Sequence, residues 1–176
     1  MGDPSHRPPR VVVEPMRETD LDAVLAIEEA SFDRSGHGGR LDEKRLREEL
    51  TRTWARLWIA RSEPRGRVAA FLDGWHVADE LHVLDVATHP ELRRRGFARA
   101  LIEAALHYAV EHTVHLLLLE VRRSNVAAIK LYRAHGFSAM GVRPKYYSDG
   151  EDAVEMLLRL DDEGRVVPTR DEVAAP

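Results

Sequence analysis

The stretch ELRRRGFARALIEAALHYAVEHTVHLLLLEV, at residues 91–121, carries the strongest structural signal in the sequence. Apolar residues recur in its first half at the spacing of one helix face, and they are Ala98, Leu101, Ile102, Ala105 and Ala109. The spacing predicts an amphipathic helix over 97–111 that packs on a sheet. The run VHLLLLEV that follows is apolar almost throughout, as is typical of a strand buried on both faces of a parallel sheet. The stretch therefore predicts a helical crossover into a parallel strand.

Upstream of the crossover, three short apolar runs predict an antiparallel meander. These runs are LWIARS, RVAAFLDGWHV and ELHVLDVATH, and turn residues separate them. Before them, residues 11–13 predict a first strand, ETDLDAVLAIEEASF predicts a helix with Asp20 as its N-cap, and LDEKRLREELTR predicts a second helix. A glycine-rich break at residues 35–39 separates the two helices.

Downstream of the crossover, the chain predicts one more helix and a β-hairpin. Ser124 or Asn125 can cap this helix, and Gly136 ends it. Two strands follow over residues 138–146 and 153–160, and they are joined through YSDG, in which Asp-Gly favours a hairpin turn.

Length and composition indicate one ordinary globular domain. The 176 residues suffice for one sizeable core, and we expect a single domain over 11–161 between flexible tails at 1–10 and 162–176. The formal net charge of -4 argues against a nucleic-acid-binding protein, because phosphate neutralisation needs a basic balance. The absence of cysteine excludes disulfides and a thiolate nucleophile. No apolar run approaches the ~18 residues of a membrane span and the start does not read as a secretory signal, so we expect a cytoplasmic protein without a membrane partner.

The run Arg93-Arg94-Arg95-Gly96 lies between a predicted strand and the start of the predicted crossover helix. At such a junction backbone N–H groups point outward together, and the helix dipole favours an anion. Gly96 lets the backbone approach a ligand closely, and the arginines would add charge-assisted contacts to phosphate oxygens. The loop is therefore a candidate pyrophosphate site, with a solvated basic turn as the alternative. It is neither a Walker loop nor a dinucleotide fingerprint, because it lacks both glycine patterns.

Glu120 is a carboxylate at the end of an otherwise apolar strand. Ligands of open α/β sheets bind beyond the carboxyl ends of the strands, so Glu120 is a candidate general base. The alternative is a structural ion pair with Arg122 or Arg123. Tyr132 lies on the next predicted helix and can reach the same crevice as an acid, although a core tyrosine with a hydrogen-bonded hydroxyl is the alternative for this residue.

The histidines do not predict a metal site. His107, His112 and His115 lack the HExxH spacing, and no carboxylate cluster completes a ligand set around them. We therefore expect surface or packing roles for these histidines and no metal cofactor.

Three segments together resemble the GCN5-related N-acetyltransferase (GNAT) superfamily. They are VLDVATHPELRRRGFARALI, LLLEVRRSNVAAIKLYRAHGF and PKYYSDGEDAVEM. The second and third are similar to the branch that acetylates protein N-termini, which includes the bacterial ribosomal-protein-alanine N-acetyltransferases. The resemblance implies an α/β (α+β) GNAT fold, with a mixed central sheet of about seven strands, flanking helices and a splayed parallel strand pair.

The resemblance also implies acetyl-CoA as the donor and assigns residues to it. The backbone of Val86, Ala87 and Thr88 would hold the pantetheine arm and the acetyl carbonyl, and Asn125 matches the asparagine beside the cofactor. The pyrophosphate loop would comprise Arg93, Arg94, Arg95, Gly96, Phe97, Ala98 and Arg99, where Ala98 replaces the second glycine of the motif.

On the acceptor side, the resemblance implies that Glu120 is the general base and Tyr132 the general acid. Tyr146 and Tyr147 resemble tyrosines that border a peptide slot. The implied acceptor is the N-terminal amine of a protein, with the alanine of a small-subunit ribosomal protein as the implied partner. The loop SFDRSGHGGRLDEK departs from the family, because it lacks Pro-Trp-Ser where the acceptor is chosen. A small-molecule amine acetyltransferase and a non-catalytic acyl-CoA-binding module are the alternatives.

Overall fold

The computed structural model describes residues 11–31, 41–63 and 66–174, and these contain eight strands and four helices. The strands are β1 (Val11–Pro15), β2 (Ala55–Ser62), β3 (Val68–Val77), β4 (Glu80–Thr88), β5 (Leu116–Arg122), β6 (Ser138–Arg143), β7 (Ala153–Leu160) and β8 (Val166–Val167). The helices are α1 (Leu21–Ser31), α2 (Glu43–Thr51), α3 (Phe97–Glu111) and α4 (Val126–Ala134). The tail predicted over 1–10 and the glycine-rich break at 35–39 lie outside the described residues.

All eight strands belong to one sheet, in the order β1-β2-β3-β4-β5-β7-β6 with β8 paired to β7. Neighbouring strands run antiparallel except β4 and β5, which are parallel and are connected through α3. The predicted meander, the crossover helix and the mixed α/β class are confirmed. The sheet exceeds the implied seven strands because the two-residue β8 extends it.

Helices cover the sheet on both faces. The core under α3 and α4 contains Leu72 of β3 and Leu119 of β5. The core under α1 and α2 contains Phe71 of β3 and Ala87 of β4. Because successive strand residues point to opposite faces, this alternation fixes the face on which each polar side chain lies. None of the helices in the described ranges combines the length and the apolar character needed to cross a membrane.

The ends of α1 and α4 differ in how they use polar side chains. Asn125 caps α4, because its Oδ1 accepts a hydrogen bond from the backbone N–H of Ala128 at 3.2 Å. Asp20 lies in a 3-10 turn that precedes α1. Its carboxylate accepts a hydrogen bond from the backbone N–H of Arg17 at 3.0 Å and pairs with Arg61 at 2.6 Å. Asp20 therefore ties the start of α1 to β2.

Polar contacts link the described residues after β7, which lie in the segment predicted as a flexible tail over 162–176, to β6 and α4. After β8, the hydroxyl of Ser138 donates to the backbone carbonyl of Thr169 at 2.7 Å. The carboxylate of Asp171 accepts from the backbone N–H of Ala139 at 2.8 Å and pairs with Arg133 at 2.6 Å. Polar residues of this segment thus supply hydrogen-bond partners for Ser138 and Ala139 of β6 and an ion pair for Arg133 of α4.

Candidate active site

The parallel strands β4 and β5 separate toward their carboxyl ends. Their ladder joins residues 80–83 to residues 116–119 and ends there, whereas β4 stays paired with β3 as far as Thr88. A register shift against β3 makes Leu84 a β-bulge, and this bulge marks the start of the separation. Beyond it, the backbone groups of Val86, Ala87 and Thr88 that point toward β5 have no ladder partner among the described strands. The opening is the splayed strand pair that the resemblance implies.

The arginine loop connects the open end of β4 to α3. A 3-10 turn at Pro90–Leu92 follows β4, and the backbone is left-handed at Arg94 (φ 65) and at Gly96 (φ 87). Gly96 is the N-cap residue of α3, and a Cβ at this position would meet no atom of the described residues within 4 Å. The first amide groups of α3, at residues 97–99, therefore point into open space at the positive end of a helix. This geometry suits a phosphate group.

The arginine side chains of the loop are exposed. Arg93 Nε donates to the backbone carbonyl of Thr88 at 3.3 Å, which ties the loop to β4. Arg99 pairs with Glu103 one helical turn later, at 2.8 Å. Exposed pairs of this kind contribute little to stability and exchange easily, so the guanidinium groups remain available to phosphate oxygens.

Glu120 lies on the sheet face that α1 and α2 cover, because its neighbour Leu119 points into the core under α3. Glu120 Oε1 lies 3.3 Å from Arg143 Nη1, and Arg143 also pairs with Glu155 at 2.6 Å. The side chain of Glu120 is about one-third exposed, at 32%, so a ligand in the gap can reach the carboxylate.

An ion pair with Arg122 or Arg123 was the structural alternative for Glu120. Both arginines instead pair with acidic residues around the β6–β7 connection. The ion pairs join Arg122 to Asp149 and Glu151, at 2.7 Å each, and Arg123 to Asp152 at 3.4 Å. The proposed structural pair of Glu120 with either arginine is therefore wrong.

Tyr132 is buried on α4, and its ring centroid lies 5.7 Å from that of Phe137. Burial raises the pKa of the Tyr132 phenol well above its usual value, and the nearby Tyr147 and Asp85 add to the rise. The hydroxyl therefore keeps its proton throughout the physiological pH range. The phenol is also close enough to Asp85 of β4 for the charge of that carboxylate to act on it.

Tyr146 and Tyr147 form a nearly perpendicular ring pair in the β6–β7 connection, with centroids 5.2 Å apart. The guanidinium of Arg122 lies 4.0 Å from the Tyr147 ring centroid, and that of Arg143 lies 5.5 Å from the Tyr146 ring centroid. Burial raises the pKa of Tyr146 and raises that of Tyr147 to about 12, and the charge of Glu120 contributes to both shifts. Both phenols therefore lie near Glu120.

The structure thus places Tyr146 and Tyr147 near Glu120, and it places Tyr132 near Tyr147. Asn125 begins α4 just beyond the carboxyl end of β5, at the same edge of the sheet as the arginine loop. Its capping role uses the side-chain oxygen, so the amide N–H groups are the part that can donate to a ligand.

Three charged residues of this region were not predicted as site residues from the sequence. Asp73 and Asp85 are cross-strand neighbours on β3 and β4, and a charged residue inside the apolar run VAAFLDGW was a visible signal for the first. Arg143 gave no such signal. Its contact with Glu120 depends on the non-sequential strand order β5-β7-β6, which no local pattern encodes.

Comparisons with known proteins identify relatives of this chain. The ribosomal protein bS18-alanine N-acetyltransferase of Escherichia coli strain K12 is 33% identical over 148 residues, which cover 82% of this chain and 95% of that protein. The N-alpha-acetyltransferase of Sulfurisphaera tokodaii is 41% identical over 80 residues, or 45% of this chain and 48% of that protein. The crystal structure of the ribosomal-protein-S18-alanine N-acetyltransferase from Escherichia coli superimposes with a TM-score of 0.72 at 30% identity, covering 93% of this chain and 97% of that chain.

A family model described as acetyltransferase (GNAT) family matches residues 21–137, which is more than half of the chain. The match includes the splayed strands, the arginine loop, Glu120 and Tyr132. The protein therefore belongs to the GNAT family and is an N-acetyltransferase.

Proposed function

We propose that this protein is an N-alpha-acetyltransferase that moves the acetyl group of acetyl-CoA to the N-terminal amine of a protein. The observation that carries the proposal is Glu120 and Tyr132 at one gap, bordered by the ring pair of Tyr146 and Tyr147. The relatives include enzymes described as acting on the alanine of ribosomal protein bS18 and as N-alpha-acetyltransferases. The N-terminal alanine of a small-subunit ribosomal protein is therefore the leading acceptor.

The donor half of the reaction would use backbone groups for the most part. Residues 86–88 offer N–H and C=O groups to the pantetheine arm and the acetyl carbonyl, and residues 93–99 offer helix-end amides and arginines to the pyrophosphate. The open space at Gly96 accommodates such a ligand, and Asn125 can donate beside it. An N–H group of residues 86–88 would also stabilise the tetrahedral oxyanion.

The acceptor half of the reaction needs two proton transfers. An α-ammonium has a pKa of about 8, so it must lose a proton before the nitrogen can attack the thioester. Glu120 would accept this proton directly or through water. The departing thiolate of CoA would take a proton from Tyr132, whose raised pKa keeps that proton available. No covalent enzyme intermediate is needed, which agrees with the absence of cysteine.

A small-molecule amine acetyltransferase is the second candidate. The observation that favours it is the pair of Asp73 and Asp85 beside the gap, because carboxylates of this kind also suit polyamines. The loop at 32–40, which would help to choose the acceptor, lies outside the described residues.

An acceptor panel separates the two candidates. Initial rates of acetyl transfer from acetyl-CoA are measured on N-terminal peptides that begin with alanine or other residues, on a lysine peptide with a blocked N-terminus, and on a set of polyamines and aminoglycosides. We expect kcat/KM for the alanine N-terminal peptide to exceed that of any small amine by about tenfold or more. A preference for polyamines or for the lysine side chain would contradict the proposal.

Replacing Gly96 by alanine should weaken the binding of acetyl-CoA. The φ of 87 at Gly96 is left-handed, and a side chain there costs roughly 1–2 kcal/mol, which shifts the loop away from its binding geometry. We expect the Kd of acetyl-CoA to rise about fivefold to twentyfold in calorimetry, with an unchanged KM for the acceptor. The matched control is Gly150→Ala, at a position with φ 85 and equally open surroundings, and it should leave the Kd unchanged. Equal Kd values of acetyl-CoA for both variants would show that the arginine loop does not bind the donor.

A further inference from the structure

A row of carboxylates crosses the sheet face that α1 and α2 cover. Glu120 on β5 is followed by Asp85 on β4 and Asp73 on β3, and the two aspartates are directly opposite one another. Phe71 and Ala87, each two residues along the same strands, lie in the core under α1 and α2 and identify this face. Directly opposed side chains have Cβ atoms about 5 Å apart, so the two aspartates are immediate neighbours.

Asp73 is the most deeply placed member of the row. Its side chain is 0% exposed, and no group in the described part of the chain donates a hydrogen bond of normal geometry to either oxygen. Burial raises the pKa of Asp73 to about 7, and the charges of Glu49 and Asp85 add to the rise. Arg45 and the backbone N–H of Gly74 oppose it in part. Asp73 is therefore a buried carboxylate whose oxygens accept no hydrogen bond of normal geometry from the described residues, which is a costly arrangement.

Asp85 connects this buried group to the gap. Burial raises the pKa of Asp85, and Arg45 of α2 opposes the rise. The charge of Asp85 in turn contributes to the raised pKa of Tyr132. The charge of Asp85 therefore acts on both the buried Asp73 and the phenol of Tyr132, and Asp85 lies on the same sheet face as Glu120.

The cations near the row are already shared. Arg45 acts on both Asp73 and Asp85, and Arg143 is divided between Glu120 and Glu155. Within the described residues the row thus has more carboxylates than guanidinium groups beside it. A small cation with N–H donors is the ligand whose chemistry completes it.

We propose that Asp85, with Asp73 buried behind it, forms an ammonium-binding subsite that holds the protonated acceptor amine beside Glu120. The proposal rests on the proposed function only in that the acceptor is a primary amine. Asp85 accepts a hydrogen bond from the ammonium, one proton passes from the nitrogen to Glu120, and the neutral amine then attacks the acetyl carbon. Asp85 takes no proton in this step and acts as a positioning residue.

The first test compares a charged acceptor with an uncharged analogue of the same shape. The probes are the best peptide substrate of the wild type and its analogue with an α-hydroxyl in place of the α-amine. Binding is measured by calorimetry on enzyme saturated with CoA, so that no acetyl transfer occurs. We expect Asp85→Asn to raise the Kd of the amine peptide about tenfold and to change that of the hydroxy analogue by less than twofold. The control Asp162→Asn removes an equal charge at an exposed position outside the site and should change neither value.

The second test needs no variant and uses pH. Between pH 8 and pH 6 Asp73 takes up a proton, since its pKa is about 7, and the row loses negative charge. The groups that face it are Glu49 and Arg45 from α2 and Asp85 from β4. We expect the amine peptide to bind about twofold to fivefold more weakly at pH 6, because loss of the Asp73 charge weakens binding about fivefold to tenfold and fuller protonation of an amine with a pKa of about 8 restores about twofold. Protonation of the amine alone would strengthen binding as the pH falls, and the hydroxy analogue should bind equally at both pH values.

Equal weakening of both peptides by Asp85→Asn would show that Asp85 only shapes the site, and unchanged binding of both would show that it makes no contact. Either result overturns the proposal, as does tighter amine binding at pH 6. These outcomes differ from a failure of the proposed function, in which the wild type acetylates no N-terminal peptide in the acceptor panel.

Discussion

Replacing Glu120 by glutamine lowers kcat at pH 7 by about 10²- to 10³-fold with saturating acceptor, because an amide cannot accept the proton of the ammonium. Glutamine has the same size and can still accept a hydrogen bond from Arg143, so the fold and the Kd of acetyl-CoA should stay near the wild-type values. Steady-state rates and calorimetry measure the two quantities. An unchanged kcat at saturating peptide would contradict the assignment of Glu120 as the base.

Two controls separate a lost base from a lost ion pair. Glu155→Gln makes the same chemical change on the neighbouring strand at the second partner of Arg143, and we expect it to alter kcat by less than about threefold. The defect of Glu120→Gln should also shrink as the pH rises from 7 to 9.5, because an amine with a pKa of about 8 then arrives already deprotonated. A defect that stays constant over this pH range would indicate a structural role.

Much of the fold follows from local patterns. The helix over 97–111 has the predicted bounds because its apolar spacing, its N-terminal glycine and its packing face agree with one another. The parallel pairing of β4 and β5 follows from the crossover connection itself. The contacts that Asp171, within the predicted tail over 162–176, makes with Ala139 and Arg133 could not be predicted, because they join distant segments and polar composition carries no information about such partners.

The site was predictable where the chemistry is visible in single residues. Glu120 was predicted because it is a carboxylate at the end of an apolar strand, and the arginine loop was predicted because a glycine precedes a helix there. The electrostatic environment was not predictable, because it arises across strands. The contact of Glu120 with Arg143 and the opposition of Asp73 and Asp85 depend on strand order and on the register of β3 against β4, including its bulge.

Replacing Tyr132 by phenylalanine lowers kcat by about 10- to 100-fold, because the departing thiolate loses its proton donor while the ring remains in place. Phenylalanine keeps the packing against Phe137, so we expect an unchanged melting temperature and KM values within about threefold of the wild type. The matched control is Tyr108→Phe on α3, whose hydroxyl bonds Arg56 at 2.5 Å and His76 at 2.8 Å. This control removes a structural hydroxyl, so it should lower the melting temperature and leave kcat near wild type.

The pH dependence gives the same assignment a second test on the unmodified enzyme. A free phenol loses its proton near pH 10, but burial raises the pKa of Tyr132 above that value, so the fold favours its protonated form. If Tyr132 is the acid, kcat of the wild type should therefore stay level up to about pH 10, with no loss of activity from this phenol. A fall in kcat centred below pH 9 that disappears in Tyr132→Phe would show a phenol of lowered pKa and contradict the buried environment. A kcat of Tyr132→Phe equal to that of the wild type would show that Tyr132 is not the general acid. Solvent would then protonate the thiolate of CoA.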